Sequence, residues 1–226
     1  MRLRCFFVVF AGLASGLTAQ EILRGEVRVG IEPVYALSLG QKSPLNEMDM
    51  EMWALEETAL SYAAMIYGWA FEYEPGDKAR MLAEHINLKP LGTVHFGDTR
   101  MKADTAHIED GWFSLWTEYH LGETQQQRVK SWSKAGSVEL QATGYGNLEG
   151  KANGTERSRI KDAALEDAAG KAIREKMRGL SHNRPLRVKG RLALASFPVY
   201  GIEGGLWTVY ARFRFILDET EQYAAF

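Results

Sequence analysis

From Leu206 to Leu217 the chain reads LWTVYARFRFIL. Trp207, Val209, Ala211, Phe213, Phe215 and Leu217 alternate with Thr208, Tyr210, Arg212 and Arg214. A period of two sustained over this length is the pattern of a β-strand with one buried face. That face needs a covering layer, because an apolar sheet surface is stable only against another element. Two segments have the helical period to supply one. In LNEMDMEMWALEETALSYAAMIYG (45–68), Leu45, Met48, Met52, Leu55, Ala59, Tyr62 and Ile66 fall at steps of three and four. Ser43-Pro44 suits its start and Gly68 its end. In ERSRIKDAALEDAAGKAIREKMRGL (156–180), Ala164, Ala168 and Ala172 form a line of small residues suited to close packing on a sheet.

Strand patterns also occupy 25–37, 69–74, 112–121, 138–143 and 186–197, with weaker ones at 87–96 and 99–108. A short helix is expected over 77–86, and the polar run GETQQQRVKSWSKAG (122–136) is the natural boundary. The expected fold class is therefore α+β. Two tandem strand-helix-strand-strand units, 20–134 and 135–226, would place long helices on antiparallel sheet.

The halves share more than their order. LWTEY (115–119) matches LWTVY (206–210) at four of five positions. Ala54-Leu55-Glu56-Glu57-Thr58-Ala59 aligns with Ala164-Leu165-Glu166-Asp167-Ala168-Ala169, and Gly25/Val27 with Gly136/Val138. Three matches in one order point to an internal duplication. On that alignment Glu118 corresponds to the inward-facing Val209, so Glu118 and His120 fall on a face expected to be buried. A buried carboxylate needs a partner. Either His120 or a basic residue supplies it, or the first copy turns this face outward. Trp112 and Trp116 alternate with Phe113 and Leu115, so the strand is apolar on both faces. One face must be covered, by protein or by ligand. Trp112, Trp116, Glu118 and His120 are accordingly the expected binding surface.

The first residues, MRLRCFFVVFAGLASGLTAQ, set Arg2 and Arg4 before an apolar run that ends at Leu17-Thr18-Ala19. This is the layout of a signal peptide, 1–19, cleaved near Ala19, and it implies a periplasmic or secreted protein. The run is too short to span a bilayer, which takes about 20 apolar residues. Cys5 is the one cysteine, so the remainder has no disulfide and no thiolate metal site. Loss of Arg2 and Arg4 takes Lys+Arg from 27 to 25 against 29 acids, a net charge of about −4. That balance argues against nucleic acid as a partner. No later segment has the length and apolarity of a transmembrane helix.

Catalytic and metal-binding patterns are thin. Met48, Met50 and Met52 invite comparison with thioether copper sites, but Met50 should point away from the other two, which continue the core stripe. Gly144-x-Gly146-x-x-x-Gly150-Lys151 lies between strand and helix, where phosphate loops sit, yet it is not a Walker A sequence. Ser131, Lys134, Ser181 and Asn183 follow the order of penicillin-binding enzymes in a chain too short for that fold. The five histidines show no paired ligand spacing. No metal or cofactor is expected, and no catalytic residue.

Arg159 to Ile173, followed by two strands, resembles the N-terminal domain of the flagellar assembly protein T family. It is equally similar to related small outer-membrane lipoproteins of bacteria. Ala164, Asp167, Ala168, Ala172 and Ile173 match the Ala-x-x-Asp-Ala-x-x-x-Ala-Ile pattern of that helix, within a similarity spanning 136–217. The stretch MIYGW…YEPGDKAR (65–80) also resembles uncharacterised spirochaete periplasmic proteins. The first resemblance implies a non-enzymatic envelope protein whose partners are envelope or flagellar-motor proteins. Anchoring through a lipoprotein cysteine is not implied, since none stands at the cleavage site. The leading expectation is thus an exported interaction protein, not an enzyme. A periplasmic small-ligand or glycan binder is the alternative, motivated by six tryptophans. A hydrolase comes third.

Overall fold

The computed structural model describes residues 21–30, 47–77, 80–134, 136–147, 154–178 and 185–223. The expected signal peptide, the Ser43-Pro44 helix start, the loop around Gly150-Lys151, and Ser181 and Asn183 lie outside these residues. In chain order the elements are β1 (Ile22–Gly30), α1 (Glu47–Ile66), β2 (Trp69–Glu74), β3 (His85–Pro90), β4 (Met101–Glu109), β5 (Trp112–His120), α2 (Glu123–Ser131), β6 (Val138–Asn147), α3 (Gly154–Arg178), β7 (Arg187–Leu194), β8 (Val199–Glu203) and β9 (Leu206–Glu221). The fold is α+β, with two antiparallel sheets. One has the order β1-β5-β4; the other runs β3-β2-β7-β9-β6, with β8 also paired to β9.

The alternation of β9 does what its sequence requires. Trp207, Val209, Ala211, Phe213 and Phe215 are buried beneath α3, while Tyr210 is exposed. Two residues depart from the expectation: Thr208, expected on the outer face, is buried, and Leu217, expected on the inner one, is 39% exposed. There the strand runs into an irregular pairing with β7 at Lys189/Gly190, which disturbs the two-residue alternation. The small-residue line of α3 works as expected: Ala164, Ala168 and Ala172 are fully buried. Ala164 and Ala168 meet Gly144, and Ala164 meets Gly146; both glycines lie within β6, opposite Val209 and Trp207, rather than in a loop. A Cβ on Gly144 would sit 1.9 Å from the Ala164 carbonyl oxygen, so helix backbone rests directly on strand backbone. Gly144 and Gly146, two of the glycines in the phosphate-loop comparison, are helix-packing positions.

Helix α1 covers the inner face of the smaller sheet and touches the larger one. Met50, Trp53 and Ala54 pack with Val27, Val29, Phe113 and Leu115, and Tyr62 and Ile66 pack with Tyr119 and Leu121. The methionine expectation is reversed here: Met50 is 4% exposed and Met52 is 40% exposed. A helix clasped from several sides has no single apolar stripe, so a three–four count misplaces its faces. Gly68 ends the helix at φ +64°, donating back to the Ala63 carbonyl at 3.2 Å.

Two expectations about local structure change. Among the described residues of 77–86 no helix forms: Asp77 and Leu82 make an isolated bridge, and β3 begins at His85. The polar run after β5 is no open connector either. It forms α2, whose Gln125 and Val129 are buried, and the following Trp132 is buried too. The Trp132 indole donates to the Ile66 carbonyl at 2.9 Å, capping a free carbonyl at the end of α1. Gln125 satisfies both ends of its amide: Nε2 donates to the Tyr67 and Tyr119 hydroxyls, and Oε1 accepts from Gly122 and Arg100.

Candidate functional site

On β5 the residues Trp112, Trp116, Glu118 and His120 share one face, because strand side chains alternate. Register extends that face across the sheet. Glu118 is paired with Arg24 and Lys102, Trp116 with Glu26 and Thr105, and Ser114 with Arg28 and His107. The opposite face carries Phe113, Leu115 and Tyr119 against α1. Both options hold for Glu118: this face turns outward, and a basic residue, Arg24, pairs with the carboxylate.

The outer face has a definite layout. Glu118 accepts from Arg24 at 2.7 Å, with His120 at 3.9 Å from its other oxygen. Glu26 holds Arg28 at 3.4 Å, with His107 at 4.0 Å. Trp116 lies between these two clusters and is 40% exposed. Exposed pairs of this kind add about 0–1 kcal/mol each to stability, so the clusters are no structural necessity. The strand's fourth candidate, Trp112, behaves differently. It is half-buried and sits edge-on to Trp207, with centroids 6.5 Å apart, at the junction of the two sheets.

The pentapeptide match does not survive as a register. Leu115 is the fourth residue after the turn glycine Gly111, whereas Leu206 is the first after Gly205. Trp116 consequently faces out and Trp207 faces in. A shift of an odd number of residues exchanges the two faces of a strand. The helix alignment fares better: Ala54, Thr58 and Ala59 are buried, as are Ala164, Ala168 and Ala169. Each half also pairs its first strand antiparallel to its last, β1 with β5 and β6 with β9.

One charged pair was missed in the sequence. Glu57 and Lys161, from α1 and α3, form a salt bridge with both side chains almost fully buried. Lys161 also donates to the Arg28 carbonyl at 3.3 Å and lies 4.7 Å from the Tyr200 ring and 4.9 Å from the Trp207 ring. The available signal was spacing: Lys161 stands three and four residues before the buried Ala164 and Leu165. Beside it, burial pushes the Asp162 carboxyl up to about 6, with Glu166 and Glu57 adding to the shift and Lys161 opposing it. A carboxyl raised above its unfolded value favours the fold when protonated; that contribution is lost as pH rises through 6. Asp162→Asn is therefore expected to match the parent near pH 4 and to exceed it by about 1–2 kcal/mol at pH 8, after discounting for solvent. Urea unfolding at the two pH values measures it.

Among the described residues no group of three or more His, Cys, Asp or Glu is arranged to hold a metal ion, and no helix is long and apolar enough to cross a membrane. Fold and surface together define an α+β protein of two antiparallel sheets with an open, charged and aromatic sheet face. A family model without a stated function matches residues 12–223, nearly the whole chain, and the chain belongs to that uncharacterised family. It is also similar to an uncharacterized protein of Treponema pallidum (strain Nichols), 22% identical over 142 residues. The match takes in 62% of this chain and 56% of that relative, so the chain spans little more than half of the relative's length. No solved structure matches.

Proposed function

We propose that this is an exported, non-enzymatic interaction protein of the bacterial envelope, and that its working surface is the outer face of the β1-β5-β4 sheet. The observation that carries the reading is Trp116, exposed at the centre of that face between the Arg24–Glu118 and Arg28–Glu26 pairs. Tryptophan and arginine are the residues that most often anchor protein interfaces. Opposite charges set side by side favour one docking orientation over others. Export rests on the sequence of residues 1–19, and a partner in the flagellar motor on the resemblance of the α3 region.

Proximity labelling in the cell of origin tests this reading. The expected outcome is labelling of envelope or motor proteins that falls several-fold in a Trp116→Ala, Arg24→Glu variant. Labelling confined to soluble metabolic enzymes, or unchanged in that variant, would overturn it.

A further inference from the structure

The β1 strand is an edge of its sheet, and between that edge and the start of β8 lies a cavity of about 290 Å³. Glu26, Arg28, Glu57, Ser61, Val199 and Tyr200 line it. It shares Glu26 and Arg28 with the edge of the sheet face above, and it contains an unusual group. The Glu57 side chain is only 7% exposed. Lys161 holds one of its oxygens, and the other, Oε1, is buried with no hydrogen-bond partner among the described residues. A buried acceptor is seldom left unmatched, because it has given up water without replacement. At a cavity wall, the missing donor is most simply a bound molecule.

The surroundings restrict what that molecule is. Glu57 and Lys161 already neutralise one another, so a neutral donor suits the site better than a second buried cation. Ser61 can donate or accept, while Arg28 and Glu26 bring one donor and one acceptor to the same wall. The Tyr200 ring supplies an apolar wall, and burial holds its phenol well above the usual range and so in its neutral form. Small-molecule sites start near about 300 Å³, which limits this one to a single-ring ligand.

We propose that the cavity binds a neutral, hydroxyl-rich ligand of one-ring size, a monosaccharide or the end residue of a glycan. One ligand hydroxyl donates to Glu57 Oε1, and the apolar face of the ring rests on Tyr200.

Saturation-transfer NMR on the whole protein, with glucose, galactose, mannose and N-acetylglucosamine at millimolar concentration, tests this. Ethylammonium serves as the cationic comparison. The expected result is transfer to at least one sugar, reduced tenfold or more by Glu57→Gln. Val199→Trp, which fills the cavity from a residue 65% exposed, should abolish it without touching the buried pair. Transfer to no sugar would mean that water alone fills the cavity. Transfer that persists in the folded Val199→Trp variant would place binding elsewhere. Transfer to ethylammonium alone would assign the site to cations. Each of these three results overturns the proposal.

Discussion

Gly144→Ala is expected to destabilise the protein by about 3 kcal/mol or more, at or beyond the upper end of ordinary overpacking costs. The added Cβ would stand 1.9 Å from the Ala164 carbonyl oxygen and 2.4 Å from the Ala168 nitrogen. Both are helix backbone, so no side chain can rotate away. The helix must lift from β6, and that loosens Ala164, Ala168 and Ala172 together, all now fully buried. Against a typical total of about 5–15 kcal/mol, such a loss is large. Gly170→Ala is the matched comparison. It lies within the same helix, and its nearest contact would be the Ile86 side chain at 3.4 Å. Helix propensity then favours alanine by about 0.5–1 kcal/mol. Urea midpoints of the two variants should move in opposite directions.

Lys161→Met is the second large effect. It leaves the Glu57 carboxylate buried without its cation, which costs about 3–5 kcal/mol for a broken buried pair. Glu57→Leu, which strands the lysine, should cost a similar amount. The double variant should lose less than either single one, because an apolar pair of similar volume often replaces a buried ion pair at little cost. A double-mutant cycle from denaturant unfolding reads this directly. Additive losses would mean that the two side chains do not depend on each other.

Much of the fold was legible because it follows from period. The alternation of 206–215 and the alanine line of α3 gave a strand, a helix and their contact. What escaped the pattern had identifiable physical causes. Helix α1 is packed from more than one side, so its burial follows neighbours rather than a stripe, and Met50 and Met52 exchange roles. Helix α2 hides its core contribution in Gln125, which is buried only because four groups satisfy it. Gly144 and Gly146 looked like a loop because the sequence cannot show that a helix lies on them. At the candidate surface, Trp116, Glu118 and His120 were correctly set on one strand face. The direction of that face stayed open, because LWTVY, the segment it was aligned with, stands three residues differently against its turn. The Arg24–Glu118 pair could not be read at all, since β1 and β5 are almost a hundred residues apart and pair only in the fold.

The outer sheet face as the working surface is most directly tested by a photo-crosslinking amino acid at position 116 in the cell of origin. Met81, 92% exposed and remote from that face in the chain, supplies the comparison position. Discrete crosslinks to an envelope protein are expected from position 116, and none of the same mass from position 81. Absence of any adduct from position 116, or the same adducts from both positions, would contradict that role of the face.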